Sequence, residues 1–170
     1  ATGKKLVLTF DDGPDPVYTK QILDILAKYK VPASFFVVGL EAENNIPLVK
    51  RIFNEGHEIG NHTFTHPNMA KVSKQRALLE MDATRLLIEC ITGHSTIMFR
   101  APFNADAQPE KMEELVPVAL SRTRNYLTIG ENIDPEDWAV DEVPHFNADT
   151  IFTARFIFFI LALSYIINLN

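Results

Sequence analysis

Two histidines four residues apart, in the run His62-Thr63-Phe64-Thr65-His66, are residues whose type and spacing suggest a reaction. That spacing brings both imidazoles to one side of either a helical turn or an extended segment, so both can reach a single ion. Gly60 and Pro67 flank the run and argue against a long helix, which favours an irregular loop at the end of a strand. A second cluster, Asp11-Asp12, stands where an apolar run stops. Adjacent carboxylates in that position repel one another and lose hydration unless a cation or hydrogen bonds hold them. Two histidines and one aspartate form a three-ligand set that keeps positions open for water and substrate, the arrangement of catalytic rather than structural metal sites. The other aspartate is then free to act as a base.

Such residues need elements that position them. Residues 5–10 read as a short strand buried on both faces, ending at the turn-forming Asp11-Asp12-Gly13-Pro14. Asp15 and Pro16 suit an N-cap and first turn, and Ile22, Leu26 and Tyr29 recur at helical spacing until Pro32. Residues 34–39 are expected to form another buried strand, 45–55 a helix closed by Gly56, and 58–61 the approach to the histidine loop. A longer helix is predicted over 73–92, with Leu79, Ala83, Leu86, Leu87 and Cys90 along its apolar stripe and Gly93 at its end. Residues 97–99 predict a strand, 109–125 a helix and 126–129 a further strand. The alternation predicts an α/β fold with a parallel sheet, either doubly wound or closed into a barrel, and functional loops at the carboxyl ends of the strands.

Bulk properties narrow the field. A chain of 170 residues is long enough for one substantial core, so a single domain over 1–170 is expected. With 22 acidic against 16 basic residues and no basic run, the chain does not suit a nucleic-acid partner. Cys90, the only cysteine, has no disulfide partner within the chain and reads as a buried structural thiol. The segment 156–167 is almost uninterruptedly apolar yet shorter than the roughly 20 residues that span a bilayer. A buried strand or helix is expected there, with membrane association through the C-terminal region as the alternative. Residues 1–7 hold no charged-then-apolar leader, so any export signal or preceding domain is expected to lie outside this sequence.

Thr9-Phe10-Asp11-Asp12-Gly13-Pro14, then His62 to Pro67, then Arg100-Ala101-Pro102-Phe103, then Asp134 to Asp137-Trp138 resemble, in order, the first four motifs of the polysaccharide deacetylases with the NodB-homology domain. The resemblance covers the chain from about Lys4 to Asp149. It implies a distorted (β/α) barrel with fewer than eight strands, incomplete at its C-terminal end. It also implies one divalent metal ion, commonly zinc, with cobalt or nickel as alternatives. Under it Asp12, His62 and His66 become the metal ligands and Asp11 the general base, with a metal-bound water as nucleophile on an N-acetyl group. The chemistry agrees: an ion that acidifies water beside a carboxylate that takes the proton can attack an acetamide at neutral pH. The resemblance further pairs Arg100 with Asp11, assigns the Phe103 N–H to the developing oxyanion, and makes Trp138 a wall of the substrate groove. The implied partner is an acetylated amino-sugar polymer such as chitin or peptidoglycan, and the implied location is extracytoplasmic or at the cell surface.

The chain also departs from that pattern. The family's fifth motif is an apolar strand ending in a histidine that protonates the leaving amine, and no histidine follows residues 157–167. The stretch 150–170 is therefore expected to be a divergent or truncated apolar tail, which leaves Asp137 without the histidine it would tune. His145 is a weak substitute, and His57 and His94 read as structural. The third motif carries Ala101 and Asn104-Ala105-Asp106 where many relatives have proline and glycine. Two other functions compete with N-deacetylation: removal of O-acetyl groups from xylan, and a catalytically silent, metal-containing carbohydrate-binding role.

Overall fold

Five short parallel strands carry the site, and their order in the sheet follows the chain. They are β1 (Leu8–Asp11), β2 (Ala33–Val37), β3 (Glu58–Asn61), β4 (Met98–Phe99) and β5 (Leu127–Thr128), neighbours in the order β1-β2-β3-β4-β5. The computed structural model describes residues 6–104, 111–131 and 134. The chain divides at Gly130 into two units, 1–130 and 131–170, and the fold described is that of the first. Parallel neighbours require crossover connections, which helices supply here, and the strand order never reverses. A doubly wound sheet needs such a reversal, so the arrangement is that of a (β/α) barrel, with five strands among the described residues.

β2 is buried along its whole length because the sheet is covered on both faces there. Its alternate residues Ala33, Phe35 and Val37 join Leu23 and Leu26 of α1 (Tyr18–Tyr29), Val49 and Ile52 of α3 (Ile46–Asn54), and Ile88 of α4 (Lys74–Thr92). A second cluster joins Ala77 and Met81 of α4 to Phe99 of β4, Leu120 of α5 (Val116–Arg122) and Tyr126. On the opposite face of β2, Phe36 lies across from Gly60 of β3 and under the Arg100 guanidinium, 4.3 Å from ring centroid to Cζ. A Cβ at Gly60 would collide with the Phe36 ring, so glycine is the residue that lets this ring lean across the strand pair.

Helix limits follow their capping chemistry. The Asp15 carboxylate accepts from the N–H groups of Val17 and Tyr18 at the start of α1, at 2.8 and 2.7 Å. Ser73 caps α4 through its hydroxyl to the Arg76 N–H, and Gly93 ends it in the left-handed region with φ 76°. Gly56, with φ 82°, follows α3.

The structure corrects several expectations. β1 is only partly buried, and Leu6 and Val7 before it are exposed, because β1 has a strand neighbour on one side only among the described residues. A short helix, α2 (Gly39–Asn44), leaves β2 directly; six residues are too few to show a helical period in the sequence. α4 does not bury the stripe through Leu79, Leu86 and Cys90, all of which are exposed. Its buried face is Ala77, Glu80, Met81, Thr84 and Ile88, which includes two polar residues that find partners inside the fold. Cys90 is thus an exposed thiol. The helix expected over 109–125 is a 3-10 turn, Met112–Leu115, running into α5. No helix among the described residues is long and apolar enough to cross a membrane. The tail expected at 150–170 lies outside the described residues.

Candidate metal centre

Strand register sets the level of the site. Asp11 pairs with Phe36, Val37 with Asn61, and Asn61 with Phe99, so the carboxyl ends of β1, β3 and β4 lie in one row. The chain leaves that row as Asp12, His62 and Arg100. Asp12 adopts φ 68°, a left-handed turn that aspartate tolerates better than most residues. The turn breaks strand alternation, so the adjacent carboxylates reach different partners around one mouth.

Asp12 Oδ1 lies 3.2 Å from His62 Nε2 and 3.0 Å from His66 Nε2. The donor atoms of the three residues all fall within 4.8 Å of one another. A tetrahedral ion with bonds of roughly 2.0–2.1 Å has ligand-to-ligand edges of about 3.3 Å, close to both measured separations. His62 Nδ1 stands 2.8 Å from the Arg100 carbonyl oxygen. A carbonyl only accepts, so Nδ1 carries a proton, and a neutral ring in this position would turn its Nε2 lone pair toward Asp12. A lone pair facing a carboxylate at 3.2 Å is repulsive unless a cation stands between them. The donor set therefore fits a metal ion, and the carbonyl behind His62 is the kind of outer partner that fixes a ligand's tautomer.

Without an ion, a proton takes part of that place. Hydrogen bonds from His62 and then His66 hold the Asp12 carboxyl well below the usual carboxylate range, against the opposing effect of burial. The hydrogen bond to Asp12 raises His66 above its ordinary value, again against burial. The Asp12 side chain is 69% exposed, so the site opens to solvent and leaves room for water and substrate.

Arg100 joins the two aspartates' surroundings. Its buried guanidinium donates to Asp11 Oδ1 at 2.8 Å, Thr9 Oγ1 at 3.0 Å, and the carbonyls of Ile129 and Gly130 at 3.0 and 3.1 Å. Its own carbonyl holds His62. One residue after β4 thus fixes Asp11 with its side chain and His62 with its backbone. Phe103 has φ 64° and sets its exposed ring 4.8 Å from that of His66. Asp137, Trp138 and His145 lie outside the described residues.

His57 and His94 stand away from this mouth, in a cleft at the amino ends of β3 and β4. His57 accepts the Ala33 N–H at 3.2 Å, and His94 packs on Phe53. Residues not singled out from the sequence surround the histidine loop instead. Asn61 accepts from the Thr63 N–H and donates to the Met81 carbonyl and the Tyr126 hydroxyl, all within the core. Burial pushes the Tyr126 hydroxyl up to about 12. Glu80 accepts from Phe64, Thr65 and Arg76. The available signal was a glutamate at helical spacing from Ala77 and Thr84.

The fold and site define a barrel-type protein with an Asp-His-His cluster at its strand ends, and comparison with known proteins supplies the family. The family model for polysaccharide deacetylase matches residues 1–115. The chain belongs to the polysaccharide deacetylase family. It is 37% identical over 135 residues to the peptidoglycan-N-acetylmuramic acid deacetylase PdaC of Bacillus subtilis, covering 79% of this chain and 27% of that protein. The PdaC structure superposes with a TM-score of 0.71 at 36% identity, over 85% of this chain and 64% of that one. A chitooligosaccharide deacetylase of Sinorhizobium fredii is 35% identical over 135 residues, 78% of this chain and 59% of that protein. The structure of BA3943, a CE4 family pseudoenzyme from Bacillus anthracis, matches at TM-score 0.67 and 30% identity, over 78% of this chain and 44% of that one. The chain thus spans between about a quarter and three fifths of the curated relatives' length.

Proposed function

We propose that this chain is the metal-binding part of a hydrolase that removes N-acetyl groups from an amino-sugar polymer, with Asp12, His62 and His66 as ligands of one divalent ion and Asp11 as general base. One observation carries the reading: two Nε2 atoms converge on Asp12 Oδ1 while Nδ1 of His62 is committed to the Arg100 carbonyl. The names of PdaC and of the Sinorhizobium fredii protein support an N-acetylated sugar as substrate. A cell-wall glycan would place the protein outside the cytoplasm.

A bound divalent ion, zinc first and cobalt or nickel next, would acidify water and polarise the acetamide carbonyl. The chain's residues handle position and protons. Arg100 orients Asp11 through their 2.8 Å contact. As water oxygen adds to the acetyl carbon, its proton passes to Asp11; the C–N bond then breaks, and that proton is available to the departing amine. Phe103 is the proposed oxyanion donor through its N–H. Trp138 keeps its proposed role as a wall of the sugar groove, while Asp137 would tune a proton donor only where a fifth-motif histidine is supplied.

Acetate release from N-acetylglucosamine oligomers by zinc-loaded protein tests the reading. Asp11→Asn is expected to keep zinc and to lose roughly 10²–10⁴ in rate, the usual worth of general acid-base help. Unchanged turnover in the zinc-loaded variant would sink Asp11 as the base. A second reading, a catalytically silent relative, is favoured by the resemblance to a pseudoenzyme. Zinc and oligosaccharide binding without acetate release would select it, and release from acetylated xylan alone would select the O-acetyl esterase.

A further inference from the structure

We infer that Glu80 is a positioning residue for the metal centre, its buried carboxylate clamping the backbone between His62 and His66 so that both imidazoles aim at one point. The inference rests on the reading of Asp12, His62 and His66 as metal ligands. Glu80 lies in the middle of α4 with its side chain 2% exposed. Its Oε2 accepts from the Phe64 and Thr65 N–H groups at 2.8 and 2.7 Å, and its Oε1 from Thr65 Oγ1 and Arg76 Nε, each at 2.8 Å. None of these bonds goes to a histidine. Its effect runs through the peptide units that join His62 and His66.

The loop needs such a clamp because its backbone is unfavourable. Thr63 and His66 adopt φ 69° and 55°, and a β-branched threonine rarely enters that region unless its surroundings determine it. Following each N–H along the loop shows what determines it. His62 donates to the Val37 carbonyl and Thr63 to Asn61 Oδ1, while the next two N–H groups both go to Glu80. From the other side, the N–H groups of Gly39 and Leu40 donate to the carbonyls of Thr63 and Phe64, each at 2.9 Å. The last two residues before His66 thus hold their N–H groups through Glu80.

Residue chemistry explains why the position is acidic. Packing beside Ala77, Met81 and Ile88 would be served better by an apolar side chain, and a buried charge is expensive unless fully used. Only a carboxylate accepts from all four donors without presenting a donor of its own. In Glu80→Gln the amide keeps one acceptor oxygen and sets an NH₂ against the remaining donors, with almost no change of shape.

Two measurements on the metal-free, full chain test this. Amide exchange at Phe64 and Thr65 reads the clamp directly and should be faster in Glu80→Gln than in the unaltered protein. Zinc affinity by chelator competition should fall by roughly 10–100-fold, as for other outer-shell partners of metal ligands. Ile88→Val, on the same buried face but away from the loop, should lose stability and keep its zinc affinity; a loss of stability alone therefore does not imitate the effect. Unchanged exchange or unchanged zinc affinity in Glu80→Gln overturns the inference. If Glu80→Gln does not fold, Thr65→Val at an exposed position removes one bond to Glu80: weaker zinc binding supports the clamp, and unaltered binding overturns it. Failure of the unaltered protein to bind zinc instead overturns the metal reading, a result separate from either variant's.

Discussion

Asp12 Oδ1 is shared by two imidazoles, and this sharing predicts how single substitutions separate binding from chemistry. His62→Ala removes a proposed ligand whose other nitrogen is already fixed, and is expected to abolish tight zinc binding by elemental analysis; full zinc content at the original affinity would refute the site. Glu80 adds a pH signature. Burial raises its carboxyl, but the donors from Thr65, Phe64 and Arg76 outweigh burial and leave it below the ordinary 4.5. A depressed folded value means the contribution is present above the unfolded value and lost as pH falls through the folded one. Melting temperature of the metal-free protein should therefore drop as pH falls below about 4.5, and Glu80→Gln should show a shallower acid limb. Asp12 is depressed in both proteins, so the difference between their curves isolates Glu80; parallel curves would contradict the assignment. Asp12, His62 and His66 were legible in the sequence because their partners are one another, and Asp11 because it adjoins Asp12. Glu80 and Asn61 were not, because their partners are backbone groups of a distant loop.

At the scale of elements, the β2–β3 pair shows what a missing side chain does. Phe36 and Gly60 are cross-strand partners, and Phe36 carries Arg100 on its ring. Gly60→Ala is expected to overpack this pair and to lose about 1–3 kcal/mol in urea unfolding. Because the displaced ring supports Arg100, activity should fall along with stability; a variant as stable as the original would show that the ring yields freely. The limits of α4 were readable from Ser73 and Gly93, since capping is local chemistry. Its buried face was not. Leu79 and Leu86 outrank Glu80 and Thr84 in hydrophobicity, yet the loop needs acceptors, and the helix turns Glu80 inward to supply them, while Thr84 donates its hydroxyl to the Glu80 carbonyl. α2 escaped notice for the opposite reason, being a single short turn set by Gly39 and Leu40 donating to the histidine loop.

For the whole molecule, the sequential order of five parallel strands brings residues 11, 12, 62, 66 and 100 to one end, although up to 89 positions separate hydrogen-bonded partners. The proposed ligands come from the ends of β1 and β3, which β2 separates in the sheet, so an ion held by them would cross-link strands that do not pair, and metal binding should stabilise the fold as well as the site. A ligand that binds only the folded state at about 100 times its dissociation constant adds about 2.7 kcal/mol. For a chain of this size that is an increase in melting temperature on the order of 5–10 °C. The increase should follow the ligand set rather than the chemistry. Asp11→Asn should keep it, since Asp11 meets Arg100 and lies outside the Asp12, His62 and His66 group. His62→Ala should lose it, and Glu80→Gln should require proportionately more zinc to reach the same shift. A zinc-dependent rise that survives in His62→Ala would place the stabilising ion elsewhere on the protein and detach the fold's metal dependence from this centre.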